Sequence, residues 1–314
     1  MPPIVWLAMA LVLIGLMLAA VVGPTAAGQA TLNGLVGAGY FALGAVGLTL
    51  VYGVLRLVNF AHGDMLTFGT YVTLGVTALG VPFWPAAAVG MIVTALLAIL
   101  LDRVIWEPMR RARTSTLQLF LVATGLALVL RYSVQFFAGS QVRTVGLDTT
   151  SSLNFGPWHL GSLQFDVMLV GLVTILLTGA GLRYTRLGKE MRAVADNIAL
   201  AEVTGIDTRR TIRATWLVAG GLAALAGILY AASIGTINPN FGFTILLSLF
   251  AAAVLGGIGN AYGALAGGVV IGLSQEWSTL FFNTRWKPAI GFAILILTLL
   301  LMPRGIFGRK KARS

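Results

Sequence analysis

Long apolar runs separated by short polar segments are the feature that most constrains the fold of this chain. Ten runs approach the length of about 20 residues that a helix needs to cross a bilayer. They lie at about residues 4–23, 32–55, 65–80, 84–101, 117–138, 165–182, 214–235, 243–259, 261–282 and 287–303. The sequence therefore predicts an all-α, polytopic membrane bundle of about ten spans, with residues 1–314 as one transmembrane domain. The runs that end near Gly80 and Gly259 are the weakest candidates for full crossing.

The first run allows two interpretations. Small residues follow it, as they would in a cleaved signal peptide, but no Lys or Arg precedes it and it is about as long as a full span. We favour a retained first helix, since a signal peptide has a basic start and a shorter apolar core. Cleavage would leave nine spans.

Charge is concentrated in one segment, Arg183–Arg213, which holds seven of the 21 Lys and Arg residues and four of the ten Asp and Glu residues. Only 10% of the whole chain is charged, whereas soluble domains average about 25%. So much charge between two apolar runs predicts a loop in water, which we call the coupling loop (183–213).

Basic residues predict the orientation, because they accumulate in cytoplasmic loops. Ten crossings place most of them on the side of the coupling loop: Arg56, Arg103, Arg110, Arg111, Arg113, Arg304, Arg309, Lys310, Lys311 and Arg313. The opposite side receives Arg143, Arg285 and Lys287, and Arg131 falls inside an apolar run. The coupling loop and both termini are therefore predicted to be cytoplasmic.

The middle of the coupling loop, from about Gly188 to Thr204, predicts a short helix that ends at Gly205. One face of that helix carries an apolar stripe at helical spacing, formed by Met191, Val194, Ala195 and Ile198. Such a helix either lies on anionic lipid or docks in a groove of a soluble partner. The residues alone do not choose between the two.

Two polar breaks interrupt the apolar pattern. In Asn59–Asp64, the residues favour Asp64 as the N-cap of the next helix, whereas Asn59 and His62 suit either a turn or a translocation path. The second break, Ile237–Gly242, contains Asn238 and Asn240 and has the composition of an ordinary turn. Each break follows a Gly- and Ala-rich run, which indicates a possible inverted repeat with a path between its halves.

Other features bear on packing and chemistry. Gly259, Gly263 and Gly267 recur every fourth residue, a spacing typical of close helix packing. The chain has no Cys, two His, no phosphate-binding loop and no nucleophile elbow, so neither an enzyme nor a metal site is predicted. Glu276 is nearly alone as an acid within the apolar runs, which argues against an ion-driven carrier and for an external energy source. The alternative to a transport subunit with an external energy source is a stand-alone channel or secondary carrier.

Five segments in order resemble one family. They are LTLVYGVLRLVNFAHGDM (48–65), GKEMRAVADNIALAEVTGID (188–207), INPNFGF (237–243), AAVLGGIGNAYGALAGGVVIG (252–272) and MPRGIFGR (302–309). Over about residues 32–309 the chain resembles the branched-chain amino acid permeases of ATP-binding cassette importers, specifically the first of their two membrane subunits. The run at 4–23 is an addition to that pattern.

The resemblance implies a subunit of the bacterial inner membrane that carries branched-chain or related hydrophobic amino acids; a urea or short-chain amide permease of the same superfamily is the alternative. It implies a second related permease, two ATPase subunits that bind ATP and Mg, and a periplasmic solute-binding protein, with no cofactor in this chain and no nucleic acid partner. It also implies that the coupling loop docks on an ATPase. Arg192 and Asn197 would make polar contacts there, and the apolar stripe would fill the partner's groove. The matching positions are Gly188, Arg192, Ala193, Asn197, Ala201, Gly205 and Ile206.

Overall fold

The computed structural model describes residues 3–56, 59–147, 151–303 and 305–307. Leu57 and Val58, which precede the first polar break, lie outside the described residues. So do the basic residues of the C-terminal tail that the sequence assigns to the cytoplasmic side: Arg304, Arg309, Lys310, Lys311 and Arg313.

The described chain is all-α apart from four very short strands, as predicted. The helices are α1 Pro3–Val22, α2 Pro24–Leu55, α3 Ala61–Thr77, α4 Phe83–Leu101, α5 Glu107–Arg111, α6 Thr116–Ala138, α7 Ser162–Tyr184, α8 Arg186–Asp196, α9 Ile198–Val203, α10 Thr208–Ile234, α11 Phe241–Gly256, α12 Ala261–Ser278 and α13 Lys287–Leu301. A π-helical stretch, Asp102–Trp106, joins α4 to α5, and a 3-10 turn, Thr284–Trp286, precedes α13. Each of the ten predicted apolar runs coincides with one helix.

Seven helices in the described ranges are long and apolar enough to cross a membrane: α1, α2, α4 with its continuation to Arg111, α6, α7, α10 and the helix ending at Leu301. The other long helices, α3, α11 and α12, fall outside this set. α3 and α11 have only 17 and 16 residues, which at 1.5 Å per residue is about 24–26 Å, short of a hydrocarbon core of about 30 Å. These are the two runs that the sequence marked as the weakest spans. The count of ten crossings stays a prediction.

The two halves of the chain form corresponding helix contacts, in which each half supplies packing partners for helices of the other. In one set of contacts α2 packs on α12, α3 on α4 and α3 on α6. The corresponding contacts in the other set are α10 on α4, α11 on α12 and α11 on α13. α3 also packs on α10 as α11 packs on α2. This correspondence supports the inverted repeat in which α2, α3, α4 and α6 match α10, α11, α12 and α13.

Glycines on α12 permit close helix contacts. A Cβ on Gly268 would overlap the backbone of Ala42 in α2. Gly263 and Gly267 face α11, where a Cβ on either would overlap that helix's backbone. Gly259, by contrast, lies in the turn before α12 with a φ of +87° and open space around it. Its glycine serves the turn and not helix packing, because that backbone conformation disfavours a side chain.

The coupling loop defines one end of the bundle, which we call the loop end; the opposite end is the far end. The short strands lie at the far end, where β1 (Arg143–Thr144) pairs with β4 (Thr236–Ile237) and β2 (Ser152–Phe155) with β3 (Trp158–Gly161), both antiparallel. Side chains fix the β2–β3 hairpin to the start of α2: Trp158 Nε1 donates to Thr25 O at 3.2 Å and Gln29 Nε2 to His159 O at 2.7 Å. α1, joined to α2 by Gly23 alone, packs on the outside of α2 and α12.

Candidate translocation path and coupling loop

The coupling loop contains two helices where the sequence predicts one. α8 and α9 are separated by Asn197, whose backbone is extended at φ −158° and ψ 107°. The Asn197 side chain caps α9 by accepting a hydrogen bond from the Leu200 N–H at 3.1 Å. At the other end Gly205 adopts a φ of +84° and Ile206 N–H donates to Ala201 O at 3.1 Å, so the helix stops at the glycine that the sequence indicated.

The apolar stripe faces the protein's own core. Met191 and Val194 are 5% and 0% exposed and belong to the main hydrophobic cluster of the bundle, and Ile198 packs against that cluster. The prediction that the stripe fills a partner's groove is therefore wrong, because these side chains are already buried. In α9, by contrast, Leu200 and Val203 face outward and are 60% and 81% exposed.

Polar contacts attach the coupling loop to α2 and α7. The Arg56 guanidinium, at the end of α2, donates to the carbonyls of Ala195 and of Asp196, the latter at 3.0 Å. Those carbonyls lie at the C-terminal end of α8, where a cation is favourable. Arg192, predicted to contact an ATPase, donates one guanidinium N–H to Leu182 O in α7.

Gly188 makes the tight corner between α7 and α8. A Cβ there would lie 2.5 Å from the carbonyl oxygen of Leu182, so any side chain would push the two helices apart. Ala193 and Ala201 pack in the same core, Ala201 being 3% exposed. The coupling roles of these residues stay a prediction, but the loop is held firmly to the bundle.

A cavity of about 440 Å³ opens at the loop end, and we call it the loop-end cavity. One wall is formed by Thr49 and Gly53 of α2 and by Arg56, which follows that helix. Met191 of α8 lines another. The turn between α11 and α12, including Asn260, completes it. A displacement of the coupling loop would therefore change the shape of this cavity directly.

The first polar break enters the middle of the bundle. Asn59 is 1% exposed and its Oδ1 accepts from Ala61 N–H at 3.1 Å, so Asn59 forms a turn that leads into α3. His62 is fully buried, with Nε2 3.0 Å from Gly44 O of α2. Gly44 lies eleven residues before the end of α2 at Leu55, or about 17 Å along the helix axis. The Asn59 Nδ2 and His62 Nδ1 atoms have no hydrogen-bond partner among the described residues.

Asp64 is not the N-cap that the sequence favours. α3 begins at Ala61, so Asp64 lies one turn inside the helix, where it accepts two hydrogen bonds from Arg131 of α6. Arg131 Nε is 2.9 Å from Oδ1 and Nη2 is 3.1 Å from Oδ2. The same guanidinium lies 4.5 Å from the centroid of the Phe243 ring. This pairing explains how an arginine is tolerated inside an apolar run.

The second polar break meets the first. Asn238 forms a tight turn, its Oδ1 accepting from Asn240 N–H at 2.9 Å, and both asparagines are exposed. Gly242 N–H then donates to Thr67 Oγ1 of α3 at 3.2 Å. A Cβ on Gly63 would lie 2.6 Å from Gly242 O, so the starts of α3 and α11 touch.

The sequence thus marked both breaks but not their contact, which joins residues about 180 positions apart. The structure brings Asn59 and His62 together inside the bundle and leaves Asn238 and Asn240 on its surface. Two interrupted helices whose N-terminal ends meet within a bundle are typical of transporter binding sites. The path role of these four residues stays a prediction.

Comparison with known proteins agrees with this architecture. Residues 30–299 match the family model described as branched-chain amino acid transport system / permease component. The chain is 35% identical over 305 residues to the high-affinity branched-chain amino acid transport system permease protein LivH of Salmonella typhimurium, covering 91% of this chain and 97% of that protein. It is 30% identical over 300 residues, with the same coverage, to the corresponding permease protein BraD of Pseudomonas aeruginosa.

Among solved structures, PsaBC from Streptococcus pneumoniae in complex with Fab matches with a TM-score of 0.50 and 15% identity, covering 89% of this chain and 92% of that one. At this identity the likeness concerns the fold alone. The family model and the curated relatives, which span nearly the whole chain, carry the assignment. This membrane protein belongs to the family of branched-chain amino acid transport system permease components.

Proposed function

We propose that this chain is a membrane-spanning permease subunit of an ATP-binding cassette importer that carries branched-chain amino acids inward. One observation supports the coupling to a partner: the coupling loop is anchored in the core on one face and exposes Leu200 and Val203 on the other. Exposed aliphatic side chains on a charged loop that is anchored to the bundle are suited to docking on a soluble subunit. In this proposal the loop end and both termini are cytoplasmic, in the bacterial inner membrane.

The partners follow from the same proposal. ATP and Mg bind to two ATPase subunits, one of which contacts the coupling loop, and a second related permease completes the membrane pair. A periplasmic solute-binding protein delivers the solute at the far end. This chain supplies the path and performs no chemistry on the solute.

The geometry suggests how a movement of the loop reaches the path. Arg56 links the end of α8 to the end of α2 through the Ala195 and Asp196 carbonyls. α2 also carries Gly44, whose carbonyl holds His62 in the middle of the bundle. A shift of α8 would therefore move α2 relative to α10 and alter the packing around His62.

Uptake in cells tests the proposal. We expect cells that lack this chain to lose high-affinity uptake of labelled leucine, and excess isoleucine or valine to compete in cells that contain it. Loss of uptake after the ATPase subunits are inactivated would separate an importer subunit from a stand-alone channel or carrier. Competition by urea or acetamide, with none by valine, would contradict the amino acid assignment.

A further inference from the structure

A second cavity, of about 420 Å³, lies at the far end of the bundle between α2, α10, α11 and α12, and we call it the far chamber. Its volume is within the range of about 300–1,000 Å³ found for small-molecule sites. Arg285 on its wall is exposed, whereas Phe41 and Ser248 are 4% and 2% exposed. The far chamber therefore leads from the surface into the bundle.

Charged groups of both signs line the far chamber. Lys287 Nζ is 2.5 Å from Glu276 Oε1, and the two side chains are 25% and 15% exposed. The Arg285 guanidinium forms no hydrogen bond or ion pair with any part of the chain that the structure describes. Because Glu276 is paired with Lys287, Arg285 is left without a partner among the described residues. A guanidinium binds a carboxylate through two parallel hydrogen bonds.

The buried part of the far chamber is apolar and aromatic. Val36, Phe41 and Ile245 are 2%, 4% and 5% exposed. The rings of Tyr40 and Tyr230 meet edge to face, with centroids 5.3 Å apart. Burial of an aliphatic side chain in such surroundings is favourable by about 0.8 kcal/mol per methylene group.

The far chamber ends inside the bundle and does not continue to the loop end. On α2 it reaches Phe41, and the loop-end cavity begins at Thr49, eight residues or about 12 Å further along the helix. The layer between the two cavities contains Gly44, whose carbonyl oxygen is 3.0 Å from His62 Nε2. A closed end within hydrogen-bonded protein suits binding of a solute better than an open pore.

We propose that the far chamber is a binding site for a zwitterionic amino acid with an aliphatic side chain. Arg285 receives the carboxylate, and the Glu276 oxygen that Lys287 does not contact receives the ammonium group. Val36, Phe41 and Ile245 contact the side chain. A neutral amide or urea forms only hydrogen bonds with these groups and no ion pair, so the far chamber binds it more weakly than a zwitterion. This inference rests on the proposed function for the direction of transport, but binding itself can be measured separately.

The chain contains no cysteine, which permits a direct test. Ser233, half-buried on α10 and lining the far chamber, is replaced by the nearly isosteric cysteine. The assembled complex in lipid nanodiscs is treated with a small charged maleimide, and modification of this chain is followed by mass spectrometry. Val142→Cys is the matched control, because Val142 is 65% exposed at the far end and outside the chamber.

We expect leucine at ten times its half-saturating concentration to slow labelling of Ser233→Cys about tenfold and to leave Val142→Cys unchanged. Two leucine analogues each carry one of its two charged groups: 4-methylpentanoate lacks the ammonium group and 3-methylbutylamine lacks the carboxylate. Each analogue should protect Ser233→Cys far more weakly than leucine does. Adding Arg285→Gln to Ser233→Cys should abolish protection by leucine, with protection expressed relative to the labelling rate of the same double variant without leucine.

The possible results separate the two proposals. Leucine uptake without protection of Ser233→Cys would overturn the binding site and leave the importer function standing. Protection without leucine uptake would support the site and contradict the function. Equal protection by urea, or protection unaffected by Arg285→Gln, would overturn recognition of a zwitterion.

Discussion

Separating the buried ion pair between Asp64 and Arg131 is expected to be one of the most damaging single changes in this protein. The pair has two hydrogen bonds, of 2.9 and 3.1 Å, and its side chains are 0% and 13% exposed. Asp64→Leu or Arg131→Met leaves one charge buried without a partner, which costs about 3–5 kcal/mol. At 1.4 kcal/mol per factor of ten, the unfolding equilibrium constant rises roughly 140- to 3,700-fold.

The double variant is predicted to recover most of that loss. Replacing both charged side chains with apolar ones removes the cost of desolvating the two charges together with their mutual attraction. The net effect of such a replacement on the free energy of unfolding is often nearly neutral. What stays lost is the contact of Arg131 with the Phe243 ring, worth about 2 kcal/mol when desolvated. The double variant should therefore be about 2 kcal/mol less stable than the unaltered protein, and more stable than either single variant.

Equilibrium unfolding in mixed detergent micelles, followed by tryptophan fluorescence, measures these differences. The control is Arg186→Met, which breaks an exposed ion pair with Glu190 whose arginine side chain is 94% exposed. Exposed pairs of this kind contribute about 0.3–0.5 kcal/mol. The reasoning fails if Asp64→Leu costs no more than this control, or if the losses of the two single variants add in the double variant.

The remaining predictions concern the coupling loop and the path. Val203→Asp should weaken co-purification of the ATPase subunits at least tenfold, because burial of this side chain in the interface would contribute about 1.5–3 kcal/mol. Val142→Asp at the far end is the control and should not weaken it. Equal retention of the ATPase subunits by both variants would remove Val203 from the docking surface. Gly205→Val forces a β-branched residue to a φ of +84°. Membrane fractionation should show that the variant is still inserted, while ATP hydrolysis no longer drives uptake. Normal uptake would contradict the coupling role of Gly205. His62→Gln retains an N–H that can donate to Gly44 O, so it should keep more uptake activity than His62→Ala. If the uptake kinetics of His62→Gln match those of the unaltered protein from about pH 5 to pH 8, His62 is not part of the path.

The helices were predictable because lipid imposes a strong and local compositional requirement on each span. All ten apolar runs became helices, and α3 and α11, the two runs marked as the weakest spans, have only 17 and 16 residues. The inverted repeat was visible only as two similar Gly- and Ala-rich runs. Its support came from contacts between distant helices, which no local pattern contains.

The interpretations that proved wrong share a physical cause. Asp64 has the residue type and position of a cap, but its partner Arg131 lies 67 residues away, and tertiary pairing prevailed over the local preference. Helical periodicity identified the apolar stripe at Met191 and Val194 without saying what would bury it. Asn197 carried a usable signal, since asparagine is a preferred N-cap, and a helix starting there would have divided the predicted helix into α8 and α9.

The exchange of helix partners between the two halves has a consequence for biosynthesis. α2 finds its main partner in α12, which ends 223 residues later along the chain, and α4 finds its partner in α10. At about 5–20 residues per second, a ribosome takes roughly 10–45 s to make the intervening segment. During that time the small-residue face of α2 that contacts α12 lies in the membrane without this partner. The insertion machinery must therefore keep the first half of the protein from aggregating or being degraded until the second half arrives, and a truncated first half is expected to be cleared by membrane proteases.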